Sequence, residues 1–417
     1  MIPFSPPHID QKIIDEVVGV LKSGWITTGP KTKLFEKELS KYCGNKVTLC
    51  LNSATSGLET ILKWFGIKAG DEVILPAYTY SSTANVIIHC GATPVFVDVN
   101  KDDFNISISH IEKAITSKTK VIMPVDFGGY PCDYDLINAL VLKNKNEFIP
   151  SSEEQRLLGR ILVLSDSAHS FGAIYKGKKA GSLTDITVFS FHAVKNITTS
   201  EGGAVALNLP FPFDNQSIYN SLCIKTLHGQ NKDALSKTQK GNWSYDIVEA
   251  GYKYNMTDLS AAIGLVELVR YEDDILLKRK HIIETYLKSL KDYSWAELPV
   301  VSSAFEHTNS HSNEDKSSEI HSSFHLFPLR IKGICEAQRN AIIQEIFELD
   351  VSVNVHFIPL PMMTFYKSLG YDIKDYPIAF ENYSREISLP VFYDMTDQMI
   401  QEVIDAVVNS VNKIIHI

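Results

Sequence analysis

Apolar residues recur at helical spacing over residues 10–21 and again over 33–42, so both stretches are expected to form helices. Short, continuous apolar runs then follow at 46–51, 72–75, 93–97, 120–124, 161–165, 187–191 and 203–207. Runs of this length suit strands covered on both faces. Residues 56–65 and 81–89 supply helices between them. The alternation predicts an α/β fold whose large domain holds a mostly parallel seven-stranded sheet between helices.

Near Gly251 the pattern changes. Residues 256–275 read as one long helix rich in small side chains, suited to bridging two domains. Strands are expected at 324–331 and 351–356, with a helix at 336–349 between them and a last helix at 397–414. This is a smaller C-terminal α+β unit, so the expected division is 1–250 for the large domain and 251–417 for the small one. A chain of 417 residues exceeds what one hydrophobic core usually organises, which agrees with two domains. Segment 142–160 is polar and is expected to form a helix end and a surface loop. Segment 306–323 is almost without apolar residues and reads as a loop or linker, its three histidines too poorly framed for a metal site. No metal is expected.

Composition narrows the function classes. Hydrophobic residues make up 44% and charged residues 21%, ordinary for a soluble protein. With 40 basic against 49 acidic residues, a net charge of -9 and no long basic run, nucleic acid is not an expected partner. The first residues lack the basic start and apolar stretch of a secretory signal. No apolar run reaches the roughly 20 residues that cross a bilayer, so no membrane is expected and a cytoplasmic location follows by default. The six cysteines are scattered and read as buried free thiols.

The chemistry concentrates between Val163 and Val205, which contain LSDSAHSFGA and FSFHAVKNITTSEGGAV. Asp166 directly follows an apolar strand, where ligand groups gather in α/β sheets. A carboxylate there can hold a pyridine nitrogen protonated, though alone it reads rather as a helix cap. Lys195 follows a second strand, and a partly desolvated lysine loses its proton readily, as a Schiff-base nucleophile must. A lone lysine after a strand is usually just solvated; the Asp166 strand and the EGGA turn beside it favour the cofactor reading. Ser190, between two aromatics, can place its hydroxyl on a phosphate. The segment NSATSG, residues 52–57, closes a strand and opens a helix, exposing amides to an anion at the positive helix end, although small polar residues cap many helices.

Together these segments resemble the DegT/DnrJ/EryC1/StrS family of sugar aminotransferases, within the aspartate-aminotransferase fold superfamily. The resemblance runs from SGWITTGPKTKLFEKEL at residues 23–39 through NSATSGLET and GDEVILPAYTYSSTANVIIHCGATPVFVDV. It continues through the Asp166 and Lys195 segments and GYKYNMTDLSAAIGL to VHFIPL and SLPVF. Only segments 142–160 and 306–323 fall outside it.

The resemblance implies pyridoxal 5'-phosphate as cofactor, with Lys195 as its Schiff-base lysine and Asp166 on its ring nitrogen. His169 would contact the phenolic oxygen, Tyr80 would stack on the ring, and Ala54, Thr55 and Ser190 fall on phosphate-binding positions. Many members read GYNYRM where this chain reads GYKYNM, and that asparagine reaches the phosphate of the neighbouring subunit; here Lys253 takes its place. A lysine binds phosphate as a point charge, so the contact is expected in altered geometry. The GYKYN form also resembles the branch that aminates a UDP-linked 4-ketopentose for lipid A modification.

Trp25, Thr27, Thr28 and the small-domain His356 match segments that line the sugar-nucleotide cleft, although a polar turn and a strand-end histidine account for the last three equally well. The implied reaction moves an amino group from an amino acid, glutamate by resemblance, to a nucleotide-linked (UDP or dTDP) keto sugar. The product is an amino sugar for surface polysaccharide, lipopolysaccharide or glycan, and the implied assembly is a homodimer with shared active sites. The alternatives are amination of a ketocyclitol, a cofactor-dependent deoxysugar dehydratase and a non-catalytic regulatory homologue. The dehydratases carry histidine at the position of Lys195.

Overall fold

The computed structural model describes residues 1–232, 244–302 and 319–415. Its central sheet has the seven expected strands: β1 (Val47–Leu51), β2 (Glu72–Pro76), β3 (Thr93–Val97), β4 (Thr119–Ile122), β5 (Leu162–Asp166), β6 (Ile186–Ser190) and β7 (Gly203–Leu207). They lie in the order β1-β7-β6-β5-β4-β2-β3. Pairings from β6 to β3 are all parallel, and only β7 runs antiparallel to both of its neighbours. The carboxyl ends of β1, β2, β5 and β6 therefore share one edge with the start of β7.

Side-chain alternation explains why these runs are apolar throughout. Val188 of β6 and Val205 of β7 pack on Leu58, Ile61 and Leu62 of the helix Ala54–Trp64. Their neighbours Phe189 and Ala204 face the other way, against Phe35 and Leu39 of Pro30–Cys43 and Ala261 of Asp258–Arg270. Both sheet faces are thus covered.

The expected bridging helix over 256–275 starts two residues later and does not stop. Asp258–Arg270 passes through a π-turn at Tyr271–Ile275 and continues as Leu276–Leu290. Tyr271 opens this turn, and its hydroxyl donates to the Phe171 carbonyl at 2.6 Å. Such turns occur often beside functional sites.

The C-terminal part is a three-stranded antiparallel sheet, Ala296–Glu297, Phe327–Ile331 and Glu386–Leu389. It is backed by the helices Leu276–Leu290, Glu336–Glu348 and Asp397–Ile415 around Ile283, Phe327, Ile342 and Val403. Ile2 joins this core and bridges Val351.

Two strand expectations need correction. Residues 351–356 form only single bridges, at Val351 and Asn354. The Asn354 side chain accepts the Val355 N–H at 2.8 Å, a local bond that competes with a ladder. The strand expected from 324 begins at Phe327, because Phe324 takes a left-handed φ of 55°. Within 142–160 a short helix, Glu153–Leu158, interrupts the loop; Ser152 caps it, and buried Gln155 donates to the Phe65 carbonyl at 2.9 Å. Residues 306–318 of the polar segment lie outside the described residues, while Ile320–His321 pairs with Ile174–Tyr175. Among the described residues no helix is long and apolar enough to cross a membrane.

Candidate active site

A cavity of about 330 Å³ opens at the shared strand edge, lined by Ala54, Thr55, Tyr80, Asp166, His169, Ser190, Lys195 and His356 among others. Eight residues singled out from the sequence thus meet in one place.

Asp166 ends β5, 5% exposed. Thr83 Oγ1 donates to its Oδ2 at 2.8 Å and the Ala168 N–H to its Oδ1 at 3.2 Å. Burial pushes this carboxyl up, opposed by those two donors and by Lys195. Thr83 sits one turn into the helix Ser81–His89, which Tyr80 precedes as its N-cap residue.

Lys195 lies in the loop between β6 and β7, and burial pulls its amine down to about 8, with Asp166 opposing and Arg279 adding to the fall. The neighbouring Asn196 is buried and fully engaged. Its Nδ2 donates to the Ser323 carbonyl at 2.7 Å and to Tyr271 OH at 3.1 Å, while its Oδ1 faces His325 Nδ1 at 2.8 Å. The π-turn therefore anchors the segment that carries the lysine.

His169 is 6% exposed and held well below the ordinary imidazole pKa, mainly by burial. The Gly128 N–H donates to its Nδ1 at 3.3 Å, which leaves the ring proton on Nε2. Its ring lies 5.8 Å from that of Phe357, nearly parallel, and 4.4 Å from that of His325.

The start of the helix Ala54–Trp64 forms part of the cavity wall. Ser53 caps this helix, its Oγ accepting the Ser56 N–H at 3.1 Å, while the first helical amides, at Ala54 and Thr55, have no partner within the helix. Ser190 pairs in register with Gly203 across β6 and β7. A Cβ on Gly203 would stand 2.4 Å from the Ala54 nitrogen and 2.8 Å from the Phe189 carbonyl. Only glycine lets the sheet edge come so close under the helix end, and a hydroxyl plus aimed amides make a fitting cradle for a phosphate. With a carboxylate at a strand end and a partly neutral lysine in the same cavity, the residues fit pyridoxal phosphate.

Tyr80 is exposed, and its ring lies 6.0 Å from that of Phe357. The other four expected residues do not line the cavity of a single chain. Trp25 Nε1 donates to the Thr28 carbonyl at 3.1 Å, and Asn255 Nδ2 donates to Thr28 Oγ1 at 2.6 Å. The Asp258 N–H donates to the Thr27 carbonyl at 3.1 Å. Lys253 lies in the same 251–258 segment, bridging Leu227.

Sequence reasoning missed Thr83, Asn196, His325 and Asp126. Asp126 is wholly buried and accepts from Ser170 Oγ at 2.6 Å, Ser167 Oγ at 3.0 Å, Tyr134 OH at 2.6 Å and the Cys132 N–H at 2.9 Å. It ties the turn after β5 to the rest of the sheet edge. Asn196 stood beside the singled-out lysine, and that position was its one available signal.

Comparison with known proteins gives the same answer. Spr1654 of Streptococcus pneumoniae, provisionally assigned as a sugar aminotransferase and solved in its PMP form, is 44% identical with a TM-score of 0.91, covering 99% of this chain and 100% of that one. PseC of Helicobacter pylori, an aminotransferase of pseudoaminic acid biosynthesis, is 27% identical with a TM-score of 0.83, over 99% of each chain. The spore coat polysaccharide biosynthesis protein SpsC of Bacillus subtilis is 36% identical over 97% of this chain and 96% of its own. The DegT/DnrJ/EryC1/StrS aminotransferase family matches residues 7–408. The chain belongs to that family and is a pyridoxal-phosphate-dependent sugar aminotransferase.

Proposed function

We propose that this enzyme moves an amino group from an amino acid, glutamate in the simplest case, to a nucleotide-linked keto sugar, working as a homodimer in the cytoplasm. Lys195 would hold the cofactor covalently and, once released, carry protons at its Nζ. The observation that carries this reading is the meeting of Lys195, Asp166, His169, Ser190 and the start of the helix Ala54–Trp64 in one cavity, where burial also lowers the lysine amine to about 8. A neutral amine is both the nucleophile and the base the reaction needs.

Pyridoxal phosphate, when bound, would supply the electron sink for moving an amino group from the donor's amine-bearing carbon, which becomes a carbonyl, to the acceptor's carbonyl carbon. Asp166 would pair with the ring nitrogen and keep its proton there. His169, with its proton on Nε2, would donate toward the phenolic oxygen. Ser190 Oγ and the amides of Ala54 and Thr55 would bind the phosphate, and Tyr80 would cover the ring.

Lys253 completes the phosphate site from the neighbouring subunit, and Trp25, Thr27 and Thr28 line the cleft together with His356. Lys253, Trp25, Thr27 and Thr28 lie outside the cavity of one chain, which supports a site completed by a second subunit. The large domain, 1–250, then carries the cofactor and the small domain, 251–417, closes the sugar side.

The test is a panel of UDP- and dTDP-linked keto sugars and of ketocyclitols, with glutamate as donor and product read by mass spectrometry. Amination of nucleotide-linked sugars is the expected outcome. Amination of cyclitols alone would overturn the sugar-nucleotide assignment.

A further inference from the structure

His356 lines the cavity, and its Nδ1 is engaged by the protein. Its Nδ1 lies 2.9 Å from Ser388 Oγ, and Ser388 Oγ lies 2.5 Å from Glu386 Oε1. The other carboxylate oxygen, Oε2, accepts the His356 backbone N–H at 3.0 Å. Ring and carboxylate are thus joined by two separate links. Glu386 and Ser388 are completely buried and stand on one face of the strand Glu386–Leu389. Ser388 also exchanges both backbone bonds with Asn354, at 3.1 and 2.8 Å, which fixes the two segments against each other.

A hydroxyl between a carboxylate and an imidazole has one proton to give. With Glu386 ionised, Ser388 donates to the carboxylate and His356 donates to Ser388 through Nδ1–H. His356 Nε2 is then an acceptor. With Glu386 protonated, the carboxyl donates to Ser388, Ser388 donates to Nδ1, and Nε2 carries the hydrogen.

We propose that Glu386, Ser388 and His356 form a proton relay in which a proton reaching His356 Nε2 from the cavity is stored on the buried carboxyl of Glu386, the imidazole being neutral before and after. An N–H bond forms at Nε2, the Nδ1–H bond breaks as Ser388 takes that proton, and the former Ser388 proton passes to Glu386. The reverse sequence returns it to the cavity. Glu386 and Ser388 are positioning residues that set which form of His356 the substrate meets. The use of the relay in turnover rests on the amino-transfer reading above.

The surroundings suit a store of this kind. Burial raises the Glu386 carboxyl to about 8, although Arg339 from the helix Glu336–Glu348 and Arg330 from the strand Phe327–Ile331 both oppose the rise. Tyr78, which follows β2, faces the same carboxylate and donates to the His356 carbonyl at 2.6 Å. Across the cavity His356 faces Lys195, His169 and His325. Burial and Lys195 hold the His356 imidazole down to about 3, so it does not become a cation near neutrality.

The experiment is a pH titration of the ¹⁵N-histidine-labelled holoenzyme by NMR, with the His356 signals assigned from a His356→Gln sample. His356 is expected to pass from the Nε2–H to the Nδ1–H tautomer as pH rises through about 8, without an imidazolium stage. Ser388→Ala and Glu386→Gln should each hold a single tautomer over the whole range. Ser388→Ala removes one oxygen and keeps the test readable if Glu386→Gln does not fold. One fixed tautomer in the wild type, or direct conversion to imidazolium, overturns the relay. The readout needs no turnover: an inactive protein with tautomer exchange would count against the amino-transfer reading alone, and an active one without exchange against the relay alone.

Discussion

Thr83 Oγ1 donates to Asp166 Oδ2 at 2.8 Å, so the helix after β2 orients the carboxylate that ends β5. The bond also favours the charged form of a carboxyl that burial pushes the other way. Thr83→Val keeps the shape and deletes the donor. Losing one hydrogen bond to a charged group costs about 1.5 kcal/mol, or roughly tenfold. That loss is expected in kcat/KM, and a value within twofold of wild type would show that Asp166 does not depend on Thr83.

Lys195→Ala is expected to abolish amino transfer while the protein still takes up pyridoxal phosphate without a covalent link. Borohydride reduction followed by mass spectrometry reads the link directly: the wild type should gain the cofactor mass and the variant should not. Residual wild-type turnover in the variant would refute the role given to Lys195.

The neutral amine is the reactive form of Lys195, so covalent cofactor capture by the apo-protein should speed up with pH and level off above about 8. The sign follows from a folded-state pKa below the ordinary lysine value near 10.4. Arg279 contributes to that depression from the helix Leu276–Leu290, where its Nε and Nη2 donate to the Phe324 and His325 carbonyls at 3.0 and 2.8 Å. Arg279→Met should therefore move the midpoint to higher pH. Stopped-flow absorbance over a pH series checks both statements, and a pH-independent capture rate would sink them.

Asp166, Ser190 and Lys195 were legible because each ends or follows an apolar run whose pattern is local, and parallel strands bring their carboxyl ends to one edge. Thr83 and His325 carry no such local mark. Their partners Asp166 and Asn196 stand 83 and 129 residues away in the chain, and contacts at that separation exist only after the sheet and the π-turn have formed. Residues 351–356 misled for a different reason: Val351, Val353 and Val355 alternate as a strand would, yet the Asn354 side chain binds its own backbone neighbour and only single bridges form. The GYKYN and GWITTG segments were readable as motifs, and Lys253, Trp25, Thr27 and Thr28 within them lie outside the cavity of one chain.

Gly203 supplies a steric prediction. In Gly203→Ala the new methyl would meet the Ala54 nitrogen at 2.4 Å and the Phe189 carbonyl at 2.8 Å, and backbone atoms have little room to move aside. Overpacking of this kind costs about 1–3 kcal/mol. The strain falls on the helix end proposed to hold the phosphate, so cofactor affinity should drop at least as much as stability. Fluorescence titration with pyridoxal phosphate, alongside thermal melts, measures the two; a stability loss with unchanged affinity would place the phosphate elsewhere.

Lys253 gives the sharpest test of a site shared between subunits. Removing a cation from a phosphate costs about 1.5–3 kcal/mol, so Lys253→Ala alone should lower kcat/KM by one to two orders of magnitude. Lys195→Ala alone should be inactive. If Lys253 serves the neighbour's cofactor, a dimer with one subunit of each kind has one site lacking both residues and one site intact. Random exchange makes about half of all dimers mixed, so an equimolar mixture should recover about a quarter of wild-type activity. If Lys253 serves its own subunit's cofactor, every site in the mixture lacks one residue or the other, and activity stays at the mean of the two parents.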